Sequence, residues 1–184
     1  MLPPAMRPRA ALLALLALAA VALAGVAAGC GEEQTSEVAE GEPLELAGLD
    51  YAVQITRFLN PDDTEDSGYL VGQPPAKPGT AYLGVFLTIA NPSDDARPSA
   101  TEYKVVDTLD NEYTPVESTS PYALDVGTEV PANGTIPIVD STAQVGPVQG
   151  SVLIFPVNDD VSDNRPLKLE ISTYAGSGEV VLDI

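Results

Sequence analysis

Reactive side chains are few in this sequence of 184 residues, and their types restrict the chemistry open to it. There is no His, which excludes imidazole acid–base catalysis, Ser-His-Asp triads and His-ligated zinc or haem. The one Cys, Cys30, excludes an intrachain disulfide and any paired-cysteine metal or redox site. Carboxylates are abundant instead: 27 Asp and Glu stand against 8 Lys and Arg, a formal charge of −19. That balance excludes a nucleic-acid partner, because phosphate binding needs a Lys/Arg surface that releases counterions.

The densest acid cluster is Asp62, Asp63, Glu65 and Asp66, and clustered carboxylates are what a hard cation such as Ca²⁺ takes. The spacing argues against it. In a calcium loop begun at Asp63, Gly68 fits the sharp turn but Pro74 stands where the closing Glu belongs. A solvated acidic loop is expected instead. Asn158, Asp159, Asp160, Asp163 and Asn164 form a second group, read as a strand connection built from turn-forming residues. No metal ligand and no cofactor is assigned. Carboxylate pairs for glycoside hydrolysis are uninformative among 27 acids, and there is no Trp to supply a sugar platform. Neither a G-x-S-x-G elbow nor an S-x-x-K motif occurs, so no catalytic residue is named and the chain is expected not to be an enzyme. Among the aromatics, Tyr69 lies in a long polar loop (60–79) beside Leu70, and this pair is the candidate contact surface. The sequon at Asn133 falls in a turn and is read as chance.

The remaining reactive group is the thiol of Cys30. Arg7 and Arg9 open the chain, residues 10–28 are an apolar run, and Ala27-Ala28-Gly29-Cys30 closes it. This is the order of an export signal: positive start, apolar middle, small residues at the cut. The closing residues resemble the lipobox of bacterial lipoproteins, with Ala27 where Leu is commoner. That resemblance implies diacylglycerol on the Cys30 thiol, removal of residues 1–29, and a chain held outside the cytoplasmic membrane by lipid. An uncleaved spanning helix and a plain secretory signal are the competing readings of the same run. Arg7 and Arg9 leave with the signal and no acid does, so the mature chain carries a formal charge of −21. Such a surface is not drawn to anionic headgroups.

These groups are positioned by a tether and a β domain. Residues 31–43 hold five acids (Glu32, Glu33, Glu37, Glu40, Glu42) and no aromatic, which predicts a disordered, extended spacer. From Leu44 the pattern has period two. Tyr51, Val53 and Ile55 alternate with polar or small residues, as do Leu83, Val85, Leu87 and Ile89, then Leu167, Leu169 and Ile171, then Val180, Leu182 and Ile184. Residues 152–157 are apolar throughout, as in a strand covered on both faces. Strands are expected over 49–59, 80–91, 101–108, 111–116, 121–124, 134–140, 149–157, 166–174 and 178–184, with turns at Leu109-Asp110-Asn111 and Pro131-Ala132-Asn133-Gly134. No helix is expected after Cys30. The fold class is all-β: an Ig-like β-sandwich of about seven to nine strands.

Several of these segments together are similar to a known family. They are Tyr82 to Asn91, Tyr103 to Tyr113 (YKVVDTLDNEY), Val130 to Thr135, Val152 to Val157 and Leu167 to Ile171. The chain resembles the immunoglobulin-like extracellular domain of unknown function carried by many bacterial lipoproteins, related in fold to the immunoprotective secreted-antigen sandwich. The resemblance implies the fold and a cell-envelope location, and no activity. The expected organisation is residues 1–29 signal peptide, 30–43 lipidated Cys30 and tether, and 44–184 sandwich. The function expected is a lipid-anchored, non-catalytic interaction module, whose partners are the membrane through Cys30 and another envelope protein or wall polymer. The alternative is a cation- or small-ligand-binding accessory lipoprotein.

Overall fold

A computed structural model describes residues 36–184; the expected signal peptide 1–29, the expected lipidation at Cys30 and the start of the expected tether lie outside the described residues. Twelve strands are present among the described residues, of which eight have four or more residues. These are β1 (Ser36–Ala39), β2 (Pro43–Leu46), β3 (Leu49–Leu59), β4 (Thr80–Ala90), β6 (Glu102–Val106), β10 (Ser151–Asn158), β11 (Leu167–Thr173) and β12 (Gly176–Leu182). The other four, β5 (Arg97–Pro98), β7 (Glu112–Tyr113), β8 (Glu129–Val130) and β9 (Thr135–Ile136), are two-residue pairings. Two sheets, ordered β1-β12-β11-β6-β7 and β10-β4-β3-β2, form the sandwich, with β9 extending the second sheet against β4.

Period-two alternation builds the main core. Leu83, Val85, Leu87 and Ile89 of β4 meet Leu167, Leu169 and Ile171 of β11 and Val180 and Leu182 of β12, all buried. The reading of β3 fails at Ile55, which is exposed. The register between β3 and β4 shifts between Val53 and Ile55. This bulge leaves Gln54 unpaired, and a one-residue slip sends every later side chain to the opposite face. Thr56 is buried as a result, while Ile55, Arg57 and Leu59 emerge on the outer face opposite Phe86, Gly84 and Tyr82.

That outer face is covered. Leu59, Tyr69, Leu70, Tyr82, Phe86, Val152 and Ile154 form a second cluster of buried residues. Strand β10 therefore sends Leu153, Phe155 and Val157 into the main core and Val152 and Ile154 into the outer one, as its unbroken apolar run predicts. The cover is a helix, α1 (Thr64–Tyr69), which alternation could not reveal. Asp63 caps it, its Oδ1 accepting from Glu65 N at 2.8 Å and Asp66 N at 3.2 Å. A second short helix, α2 (Thr142–Val145), has Ser141 as its cap. The expected strands 111–116, 121–124 and 134–140 shrink to β7 with an isolated bridge at Val116, an isolated bridge at Ala123, and β9.

The tether also differs from expectation. Residues Ser36–Ala39 are strand, β1 pairing parallel with β12 from Ser36↔Gly178 to Ala39↔Val181, so the sandwich takes in residues ahead of Leu44. Of the acids read as a repelling spacer, Glu37, Glu40 and Glu42 act as acceptors instead. Glu40 takes Thr56 N and Asp183 N, each at 3.0 Å, on its two carboxylate oxygens, and Glu42 takes Ala39 N at 3.2 Å. Lys168 Nζ lies 2.5 Å from Glu37 and 2.7 Å from Glu179, which removes the repulsion between two acids paired across the strands.

Candidate functional site

The bulge in β3 places Arg57 on the outer face, and the Asp63 cap orients α1 so that two of its carboxylates reach that cation. Arg57 Nη2 lies 2.6 Å from Asp66 Oδ1 and 2.8 Å from Glu65 Oε1. Asp66 is buried, and its Oδ2 accepts from Asn60 N at 2.8 Å. The guanidinium sits 5.8 Å from the ring centroids of both Tyr69 and Phe86. Tyr69 in turn makes edge-on contacts with Phe86 at 4.8 Å and Tyr122 at 4.9 Å. Its hydroxyl reaches Glu65 Oε1 at 3.2 Å; burial, then the Glu65 charge, push that phenol up to about 12.

Two expectations change here. Tyr69 and Leu70, taken from their loop as an exposed contact pair, are 1% and 8% exposed and serve as packing under α1. In the acid cluster Asp63 is a helix cap, Glu65 and Asp66 hold Arg57, and Asp62 remains exposed with its N–H donated to Asn60 Oδ1. Among the described residues no group of three or more His, Cys, Asp or Glu side chains is placed to hold a metal.

The second acid group behaves as a connection. Asn158 ends β10 and Val161–Asn164 forms a 3₁₀ turn, in which Asp163 N donates to Asp160 O. Asn164 Nδ2 reaches Asp107 Oδ2 at 3.4 Å. Asp107 is the organiser of the β6–β7 turn: its Oδ1 accepts from Leu109 N at 2.9 Å and Asn111 N at 3.0 Å, and its Oδ2 from Asn111 Nδ2 at 2.9 Å. Burial works to raise this carboxyl, but the bonds from Asn111, Leu109 and Asn164 outweigh it and hold it below the usual range. The expected Leu109-Asp110-Asn111 turn is present, with Asp110 in the left-handed region. Asn133 is likewise left-handed, its side chain bonded to Asp94 Oδ1 at 3.0 Å.

A groove of about 530 Å³ runs along the outer edge of β10. Residues 115–119 form one wall, 123–126 the other, and Val152 and Leu153 the floor. Val116 N donates to Ile154 O at 2.9 Å and Leu124 N to Val152 O at 3.0 Å, so both walls are stitched to the strand edge. The volume falls in the range of small-ligand clefts, and the lining is mixed: Val126 and Leu124 beside Glu117, Ser118, Thr119 and Asp125. The sequence reading missed both this groove and Arg57. The one signal for Arg57 was Phe58, an apolar residue out of phase with Tyr51, Val53 and Ile55; the groove walls are irregular backbone and carry no such period.

No protein-family model matches the chain, and no curated protein does. Solved structures do. An uncharacterized beta-sandwich protein of Clostridium difficile 630 aligns at TM-score 0.50 and 15% identity, over 82% of this chain and 95% of its own. The yjhA protein of Bacillus subtilis aligns at TM-score 0.50 and 14% identity, over 81% and 100%. Both likenesses support the β-sandwich fold and nothing finer.

Proposed function

We propose that the protein is a lipid-anchored cell-envelope protein that displays its β-sandwich as a non-catalytic interaction module outside the cytoplasmic membrane. The observation that carries this reading is the place of the only Cys, which follows an apolar run and three small residues directly. Lipid on Cys30 holds the chain to the bilayer; immunoglobulin-like kinship, read from the strand and turn segments, belongs to the same proposal. The partner, an envelope protein or wall polymer, would lie in the groove on the β10 edge, against the side chains of its two walls, exposed Val126 among them. The accessory cation-binding reading is disfavoured by Glu65 and Asp66, which are already committed to Arg57.

The test has two arms. Intact mass of membrane-borne protein is expected to show a chain beginning at a diacylglycerol-modified Cys30, and Cys30→Ala is expected to lose the membrane fraction. A bare thiol, or Cys30→Ala protein that stays with the membrane, overturns the anchor. For the module, a photo-reactive residue at Thr119 in the groove wall is expected to capture one discrete partner in intact cells. The same residue at Asp110 is expected to capture none; equal labelling from both positions removes the groove from the proposal.

A further inference from the structure

The strand register fixes which corner of the sandwich stands nearest the anchor. Ser36 pairs with Gly178, and β11 and β12 close their hairpin at Thr173↔Gly176. The hairpin tip, Tyr174-Ala175, thus lies beyond Ser36 on the side from which the chain arrives, by about 7 Å of strand and the turn itself. Cys30 and Ser36 are separated by residues 31–35, a span of at most roughly 20 Å. A lipid on Cys30 therefore leaves this tip within reach of the headgroups.

The composition of the tip suits that place. Residues 171–178, ISTYAGSG, carry no charge in a chain of formal charge −19. Tyr174 is 79% exposed, the most exposed of the large hydrophobic side chains among the described residues. Tyrosine at the bilayer boundary seats its ring in the headgroup layer and keeps its hydroxyl wet. The same end of the sandwich carries the β2–β3 turn and residues 91–96, and Asp94 and Asp95 make the latter unsuited to an anionic surface. The β2–β3 turn, Ala47-Gly48, is uncharged too but offers no large side chain, and Glu102 flanks the hairpin opposite Ser172, so Tyr174 is the group at this end suited to lipid.

We infer that the β11–β12 hairpin, through Tyr174, is a second membrane contact that seats in the lipid headgroup layer and fixes how the anchored domain is oriented. The inference rests on the proposed Cys30 anchor. Its occupant is a phospholipid surface, and its effect is to hold the tip against the bilayer and turn the Asp107–Asn111 end outward.

The absence of Trp supplies the test. Tyr174→Trp and, at the opposite end, Leu109→Trp each introduce a sole reporter at an exposed site. Full-length genes are expressed in a lipidating bacterium, and the membrane-borne proteins are reconstituted in phosphatidylcholine vesicles with brominated acyl chains. Emission of the Tyr174→Trp protein is expected to shift to the blue and to be quenched by bromine, and that of the Leu109→Trp protein to match protein without vesicles. Protein that floats with vesicles while the Tyr174→Trp signal stays unshifted overturns the second contact and leaves the anchor standing. Equal quenching at both positions overturns the orientation. Protein that fails to float overturns the anchor, and the inference with it.

Discussion

Two clamps of one cation and two carboxylates hold this sandwich at different depths. Arg57 with Asp66 and Glu65 fastens α1 over the outer face; Lys168 with Glu37 and Glu179 fastens β1 to its sheet. The distances are alike, but the surroundings are not. The Asp66 side chain is 4% exposed, whereas that of Glu37 is 50% exposed. A buried carboxylate that loses its cation has no water to turn to, while an exposed one rehydrates at once. Equal geometry therefore predicts unequal consequences, and the inner clamp is the structural one.

The largest effect is expected from Arg57→Ala, which strands the Asp66 carboxylate: a loss of about 3–5 kcal/mol in urea unfolding. A loss under about 1 kcal/mol would place the two clamps in one class and break the comparison. Replacing the pair together, Arg57→Met with Asp66→Leu, is expected to recover much of that loss, because the carboxylate left without its cation is then only the solvent-exposed Glu65. Next is Gly178→Val. A Cβ there would lie 2.8 Å from Leu44 Cδ2 and 3.2 Å from Ser36 O, so β1 must shift at a cost of about 1–3 kcal/mol. Faster amide exchange confined to β1 and β2 is the signature to look for; unchanged exchange there would show that β1 absorbs the side chain.

Lys168→Met sharpens the other side, with an expected loss under about 1 kcal/mol that fades in salt. The smallest effect is one of pH. The bond from Lys168, and then its charge, hold the Glu37 carboxyl below its usual range. A depressed folded value means the stabilisation is present above the unfolded value, about 4.3, and is lost as pH falls through the folded one. Exchange at Val38 and Ala39 should therefore rise below about pH 4 before that of Leu83 to Ile89 does. Asp107 is held low as well, so the readout must be local to β1.

Much of the architecture was legible from alternation alone. The inward faces of β4, β11 and β12, and the doubly covered β10, follow from side chains that repeat every second residue. What escaped was whatever depends on a change of phase or on a distant partner. The bulge at Gln54 reverses β3 and turns Ile55 outward, yet Ile55 still fits the earlier alternation on paper. Residues 36–43 read as spacer because their acids were counted as free charges; each of Glu37, Glu40 and Glu42 has a defined donor, and for Glu37 and Glu40 one lies over a hundred positions away. Tyr69 read as exposed because its neighbours are polar, whereas α1 turns it beneath them onto Phe86. The Cys30 reading rests on residues that lie outside the described ones.

The bond from Asp183 N to Glu40 spans 143 positions, and among the described residues β1 has no sheet partner besides β12. A ribosome makes the segment that will become β1 long before the one it needs. For most of synthesis that stretch must wait unzipped, with Val38 bare, and contacts closing so large a loop form late. That strand therefore stays open to other partners until the last residues of the chain have been made.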